Sequence, residues 1–323
     1  MIYFFKLIRP INLLIIALTM YSMRFFYVDL ARLNIDKVYR GLHEQIDFFL
    51  LVFSTVLIAA AGNIINDYFD VKADRINRPQ RLIISKHIKQ RWAIIYHWLL
   101  NGVAFSIAIY LSIRYHTFWY VFVHLISINT LWFYSMHFKK KVFIGNFLIA
   151  NLTALVPILC GIHFYLIGTL SPLSPDLSNI NTHSWIYFLA EHGRFVFGMA
   201  FFAFLLNLAR EIIKDIEDVS GDKVIYAKTL PIVIGKRKSS HIASAILFVL
   251  PLTFFLLYLI NTNFIFDDIL FFVPFILAVF LAGIIGFILV FNHSKKSLHF
   301  YDFLIKCAML LGLLLPFYWS ILL

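Results

Sequence analysis

The chain has 323 residues, of which 61% are hydrophobic and only 14% are charged. Globular domains are about 25% charged, so this composition excludes an ordinary water-soluble fold and indicates an integral membrane protein. The net charge of +11 would suit a nucleic-acid partner, but the basic residues follow membrane topology instead, and we expect no nucleic-acid binding.

Nine apolar stretches of about 18 to 25 residues are each long enough to cross a hydrocarbon core roughly 30 Å thick as a helix. They predict an all-α fold, a polytopic bundle of nine transmembrane helices that forms a single domain over residues 1–323. No small-residue cleavage site follows the first stretch, so we expect it to be retained. The predicted spans are 11–31, 46–66, 92–113, 117–138, 144–168, 186–210, 240–261, 269–291 and 303–322.

Lysine and arginine are distributed unequally between the two sides of the predicted bundle. With the N-terminus in the cytoplasm, 22 of the 28 fall on the inner side. The positive-inside rule therefore predicts a multi-pass protein of the cell membrane with this orientation. Two long inner connections, 67–91 and 211–239, hold both acidic clusters, and we expect them to cap an active site on the cytoplasmic side.

Acidic residues at the end of the second apolar stretch are regularly spaced, and the same spacing recurs 148 residues later. At about 100° per residue, offsets of 0, 4, 7 and 11 lie within about 60° of arc on one helical face. The sequence therefore predicts two matched acidic stripes. The first consists of Asn63, Asp67, Asp70 and Asp74, and the second of Glu211, Asp215, Asp218 and Asp222.

Six aspartates brought together in this way would repel one another, so a cation is expected between them. Oxygen ligands without Cys or His suit Mg²⁺ or Ca²⁺ rather than zinc, and Mg²⁺ commonly completes its coordination with substrate phosphates. The pattern therefore favours a diphosphate ligand. Basic residues on the same side could hold its phosphates: Arg78, Lys139, Lys140, Lys141, Lys214 and Lys228.

Two other interpretations of the stripes remain open. Charges at a helix end are often only a solvated face, although two stripes of identical spacing are harder to explain in that way. A cation-coupled transporter would also need carboxylates, but transporters usually place them near the middle of the membrane.

The motifs "NDYFDVKAD" and "DIEDVSGD" fit the patterns NDxxDxxxD and DxxDxxxD. Together they resemble the UbiA superfamily of intramembrane prenyltransferases. The segments "RPIN", "YSMHFKKK", "GN" and "KTLP" extend the resemblance over nearly the whole chain. The resemblance implies nine transmembrane helices around a central cavity, and Mg²⁺, expected as two ions, that binds an isoprenyl diphosphate.

Roles for individual residues also follow from the resemblance. The expected metal ligands are Asn66, Asp70, Asp218 and Asp222, supported by Asp67, Asp74 and Asp215. Asp70, Asp218, Tyr134 and Lys139 are expected to be catalytic. The expected substrate-binding residues are Arg9, Asn12, Arg78, Lys140, Lys141, Lys214 and Lys228. Arg9 and Asn12 would hold an acceptor anion, or else provide a snorkelling side chain and an interhelical hydrogen bond.

Within the superfamily, "INRP" and "KDIEDVSGDK" resemble most closely the geranylgeranylglycerol-phosphate geranylgeranyltransferase group. That resemblance implies transfer of an isoprenyl group from geranylgeranyl diphosphate to a lipophilic acceptor, geranylgeranylglyceryl phosphate. Membrane lipid would surround the protein as a further partner. An aromatic acceptor of quinone biosynthesis is the alternative substrate.

Overall fold

The computed structural model describes residues 2–26, 42–80, 82–170, 193–260, 272–315 and 317–318. These ranges contain helices and no β-strand, apart from an isolated bridge between Ile84 and Ile88, so the all-α prediction is confirmed for them. The helices are α1 Ile2–Ile8, α2 Pro10–Phe25, α3 Leu42–Asn77, α4 Gln90–Arg114, α5 Trp119–Met136, α6 Ile144–Leu170, α7 Arg194–Val224, α8 Leu230–Val233, α9 Lys236–Ile260, α10 Val273–Phe291 and α11 Lys295–Leu313. A 3₁₀ turn, Phe138–Lys140, separates α5 from α6.

Six helices in the described ranges are long and apolar enough to cross a membrane: α3, α4, α6, α7, α9 and α10. A seventh span is present if α1 and α2, which meet at a bend of 53°, are counted as one. A multi-pass membrane protein is thus supported, whereas nine spans and a cytoplasmic N-terminus stay predictions. Helix α11 begins at Lys295, where Ser294 caps it by accepting a hydrogen bond from the Ser297 amide (3.2 Å), so the helix starts before the predicted span 303–322, whose extent stays a prediction.

Helices α3 and α7 carry the two acidic stripes and are unusually long, at 36 and 31 residues. At 1.5 Å per residue they extend about 54 and 46 Å, well beyond a hydrocarbon core of about 30 Å. Both helices therefore continue through the acidic motifs. The predicted inner connections, 67–91 and 211–239, are correspondingly shorter, because α3 ends only at Asn77 and α7 only at Val224.

Helices α3 and α7 also occupy the centre of the packing. Helix α3 packs against α4, α5 and α7, and α7 packs against α6, α9 and α11 as well as α3. One apolar core is shared mainly by α2 to α6, and a second by α7 and α9 to α11. The two acidic helices approach each other closely at Gly221, where an added Cβ would lie 2.7 Å from the Ala73 carbonyl oxygen.

The bend between α1 and α2 positions Arg9. The backbone of Arg9 is in the left-handed region (φ 57°). Pro10 follows it, and a proline disfavours the right-handed helical conformation at the residue before it. The side-chain amide of Asn63 on α3 donates a hydrogen bond to the Ile8 carbonyl oxygen at 2.9 Å. The break is thereby fixed against α3, and Arg9 is directed toward the first acidic stripe.

Candidate active site

A cavity of about 310 Å³ lies among α2, α3, α5, α6, α7 and α11. One part of its wall is polar and acidic, and it includes residues of both stripes. The other part is mainly apolar and is formed by side chains such as Ile58, Leu131, Leu152, Val156 and Leu159. The cavity therefore has two continuous parts, a charged part that we call the acidic chamber and an apolar part that we call the apolar chamber.

The structure brings the two stripes together in this chamber. Of the first stripe, Asn63, Asp70 and Asp74 line the cavity, as does Asn66 beside them. All four members of the second stripe line it: Glu211, Asp215, Asp218 and Asp222. Asp67 is absent from this lining because its carboxylate is paired with Arg9, whose guanidinium does reach the cavity together with Asn12.

Lys139 is the counter-ion of the first stripe. Its ammonium forms an ion pair with Asp70 and lies 3.4 Å from the Asn66 side-chain oxygen, while the Asn66 amide donates to Asp70 at 2.8 Å. Burial, the largest single influence, would lower the pKa of Lys139, but the charge of Asp70, its hydrogen bond and other nearby acidic groups together raise the pKa above its ordinary value. Lys139 therefore stays cationic inside the chamber.

A glycine allows Lys139 to reach this position. A Cβ on Gly145, at the start of α6, would lie 3.0 Å from both the Lys139 Cα and the Phe138 carbonyl oxygen, and 3.2 Å from the Tyr134 ring. Close approach of the 3₁₀ turn to α6 therefore requires the smallest residue. Tyr134, whose catalytic role is implied by the resemblance, lines the cavity next to this turn.

Arg78 provides the counter-ion of the second stripe. It follows the last residue of α3, and its guanidinium donates to both carboxylate oxygens of Asp218, at 3.0 and 3.2 Å. Asp215 accepts a hydrogen bond from the Asn146 amide at 2.8 Å, and Asp222 lies 3.4 Å from the Thr229 hydroxyl. Charges on one acidic helix are thus balanced partly by residues of the other.

Three predicted substrate-binding lysines are placed differently: Lys140, Lys141 and Lys228 are exposed and absent from the cavity lining. Successive residues of a 3₁₀ turn point in different directions, so only Lys139 of the three neighbouring lysines reaches Asp70. The Lys141 ammonium instead lies 5.4 Å from the centre of the Phe138 ring, and the Lys228 amide donates to the Lys140 carbonyl oxygen. Lys214 does line the cavity.

A magnesium site needs oxygen ligands, and the acidic chamber contains many of them. Among the described residues, no three His, Cys, Asp or Glu side chains converge as a ready-made metal cage. Mg²⁺, however, usually takes only one or two protein carboxylates and completes its octahedron with water and phosphate. Buried oxygen donors on two facing helices, Asp70 and Asp222 among them, meet that need, so the residues present fit Mg²⁺.

Several residues of the chamber escape the sequence prediction. Asn77 joins α3 to α7, and Asn146 holds Asp215. Arg210 lines the cavity beside Glu211, and Lys306 lines it from α11, paired with Asp302 at 2.8 Å. The lysine inside the predicted span 303–322, four residues after an aspartate, is the signal that would have identified Lys306, because charges within membrane segments by default mark functional sites.

Comparison with known proteins gives a family match over residues 38–306, to the UbiA prenyltransferase family. Digeranylgeranylglyceryl phosphate synthase of Thermococcus gammatolerans is 36% identical over 60% of this chain and 60% of its own length. The enzyme of the same name from Thermococcus sibiricus is 36% identical over 74% and 71% of the two chains. That of Methanosphaera stadtmanae is 31% identical over 79% and 81%.

Two solved structures share the fold. One is of digeranylgeranylglyceryl phosphate synthase in membranes, with a TM-score of 0.56 and 23% identity over 97% of this chain and 96% of that chain. The other, a UbiA homologue from Archaeoglobus fulgidus bound to DMAPP and Mg²⁺, has a TM-score of 0.54 and 14% identity over 97% and 98%. At these identities the likeness concerns the fold.

Proposed function

The chain belongs to the UbiA prenyltransferase family, and from this premise we propose that it transfers an isoprenyl group from an isoprenyl diphosphate to a lipophilic acceptor, with release of diphosphate. The observation that carries the proposal is the cavity itself. Both acidic stripes line its acidic chamber, each stripe has a basic partner, and this chamber is continuous with the apolar chamber. An amphiphilic diphosphate matches both parts of that cavity.

The acidic chamber would bind the diphosphate of the donor. Asn66 and Asp70 on α3, with Asp218 and Asp222 on α7, are the proposed ligands of two Mg²⁺ ions, and Asp74 and Asp215 would support them. Bound Mg²⁺ supplies positive charge to a leaving diphosphate. Asp67, being paired with Arg9, would act by positioning that arginine.

Lys139 and Arg78 would stabilise the leaving group. Both cations are already held beside the acidic chamber by ion pairs with carboxylates. Their side chains therefore need to reorganise little when negative charge develops on the departing oxygen. The carbon–oxygen bond to the diphosphate breaks and leaves an allylic carbocation. Tyr134, in the wall next to Lys139, would border the reacting carbon and help to exclude water.

The apolar chamber would hold the isoprenoid tail. Its side chains come from α2, α3, α5 and α6 and are mostly aliphatic, so the reactive cation would be kept from water until the acceptor captures it. We propose geranylgeranyl diphosphate as the donor and geranylgeranylglyceryl phosphate as the acceptor, on the strength of the named relatives. The acceptor hydroxyl then forms an ether bond and gives its proton to the released diphosphate.

Purified protein in detergent, supplied with Mg²⁺, labelled geranylgeranyl diphosphate and a panel of acceptors, tests the proposal. We expect pyrophosphate release and a labelled ether lipid with geranylgeranylglyceryl phosphate. Labelling of an aromatic acid instead would show that the acceptor is different but that the class of reaction is the same. Cation-coupled flux in liposomes without any covalent product would refute the enzyme and favour a transporter.

The active site is proposed to face the cytoplasm, on the side where basic residues accumulate. In sealed inside-out vesicles, water-soluble donor analogues added outside should be turned over at once. Turnover only after permeabilisation would reverse the orientation.

A further inference from the structure

A second group of charges lies on α7 and α11, and all of its members except Asp302 line the same cavity. Its two carboxylates, Glu211 and Asp302, are buried, and its three cations are partly exposed. Arg210 donates to Glu211 at 3.0 Å, and Lys214 lies 3.0 Å from both oxygens of Glu211. Across the interface, the Arg210 Nε lies 2.7 Å from an Asp302 oxygen, whose partner on α11 is Lys306. Three cations and two carboxylates therefore form one connected cluster.

This cluster adjoins the acidic chamber and shares Glu211 with the second stripe. Arg210 stands eight residues before Asp218 on α7, a separation of about 12 Å along the helix, whereas Lys214 is about one turn from Asp218. Met309, three residues after Lys306 on α11, also lines the cavity, so an apolar side chain follows the cluster along this helix in the cavity wall. A second ligand group could lie there while the first is held at the stripes.

The cluster carries more positive than negative charge, and it has hydrogen-bond donors to spare. Its formal charge is +1, from Arg210, Lys214 and Lys306 against Glu211 and Asp302. Two lysines and an arginine carry eleven N–H donors. Among the contacts of the described residues, Arg210 donates hydrogen bonds only through Nη1, to Asn207 and Glu211, and its Nε makes only the ion-pair contact with Asp302. An anion with several acceptor oxygens is the ligand that such a site would take.

We infer that Arg210, Lys214 and Lys306 bind the phosphate of the acceptor, a phosphomonoester on a lipophilic glyceryl ether. The inference rests on the proposed function, since it names the site of that reaction's second substrate. Reacting atoms start about 3 Å apart, and a phosphate on the carbon next to the attacking hydroxyl would then lie on the order of 10 Å from the diphosphate site. The spacing along α7 agrees with that length.

A purely structural role would use the same contacts, because the Arg210–Asp302 and Lys306–Asp302 pairs also tie α7 to α11. The two roles differ in their ligand dependence. Removing a structural tie would weaken all ligands alike, whereas removing a phosphate contact would weaken only ligands that carry the phosphate.

Binding in EDTA, where the proposed reaction cannot proceed, separates the two roles and does not depend on turnover. The ligands are geranylgeranylglyceryl phosphate, the neutral ether geranylgeranylglycerol, and glycerol 1-phosphate. We expect the wild-type protein to bind the phosphorylated ether most tightly. Lys306→Gln should weaken that ligand about 10- to 100-fold, the loss typical of a charged hydrogen bond, and leave the neutral ether unchanged.

Two further variants serve as controls. Lys306→Arg should restore most of the binding, because it keeps the charge. Lys296→Gln removes an exposed lysine from the same helix and should bind like wild type. Thermal unfolding of each variant in detergent checks that Lys306→Gln is folded.

An equal loss for the neutral and the phosphorylated ether would overturn the inference, as would a loss confined to geranylgeranyl diphosphate. Tight, tail-independent binding of glycerol 1-phosphate would assign the cluster to a free phosphate and would also overturn it. Absence of transfer together with Lys306-dependent binding of the phosphorylated ether would instead refute the proposed reaction and leave the anion site standing.

Discussion

Asn77, the last residue of α3, is bound to Gly221 of α7 and to the turn before it. Its side-chain oxygen accepts a hydrogen bond from the Gly221 amide at 2.8 Å, and its side-chain nitrogen donates to the Asp218 carbonyl oxygen at 2.9 Å. One amide side chain thus fixes the register of the two acidic helices. The orientation of the two stripes toward each other therefore depends on this junction between Asn77 and Gly221.

Gly221→Ala should separate the stripes. The new Cβ would lie 2.4 Å from the Asn77 side-chain nitrogen and 2.7 Å from the Ala73 carbonyl oxygen, and backbone cannot move aside as a flexible side chain can. We expect destabilisation by about 1 to 3 kcal/mol and loss of most transferase activity. Gly198→Ala, on the same helix with nothing within 4 Å, is the matched control and should unfold at or above the wild-type temperature. Equal thermal unfolding and activity of the two variants would contradict the role of the junction.

Asp70→Ala and Asp218→Ala should each abolish turnover. If the stripes act as one diphosphate site, the double variant should be little worse than either single one, because residues that act as a unit lose nearly everything at the first removal. Steady-state rates with labelled donor provide the test. Asp176→Ala and Asp268→Ala, at positions outside the described residues that the sequence places in outer connections, should stay near wild type. Multiplying effects would mean two independent sites.

Lys139→Gln should lower the rate of transfer about 10²- to 10³-fold, the usual cost of losing one preorganised group that stabilises developing charge. Lys141→Gln is its control, because that lysine is exposed and absent from the cavity lining. The comparison requires turnover numbers at saturating donor. Similar losses in both variants would show that the basic run acts through its total charge.

Metal removal should stop transfer reversibly. The proposed ligands are carboxylate and amide oxygens, which favour Mg²⁺ over zinc. Activity is expected to vanish in EDTA and to return with Mg²⁺, while micromolar zinc should not restore it. Undiminished turnover in metal-free buffer would rule out the proposed metal site.

The sequence predicts the stripes well because their spacing is a local property of a helix. Asp70 and Asp218 fall where offsets of 7 on one face require, and Lys139, predicted from its side of the membrane to hold phosphate, forms an ion pair with Asp70. Helices α3 and α7 continue past the predicted ends of their spans, at 66 and 210, as the helical spacing of the stripes requires, because a helix can extend beyond the membrane. The pairing of Arg9 with Asp67, and of Asn146 with Asp215, depends on tertiary contact and has no periodic signal.

The counter-ion contacts of the two stripes also imply an order of assembly during synthesis. Asp67 and Asp70 find their partners in Arg9 and Lys139, so the N-terminal half of the chain can neutralise these charges before the second half is made. Asp218, by contrast, needs Arg78 from the first half. We therefore expect the early helices to provide the template on which the later ones dock, and a fragment of the later helices alone to be the less stable of the two halves in a bilayer.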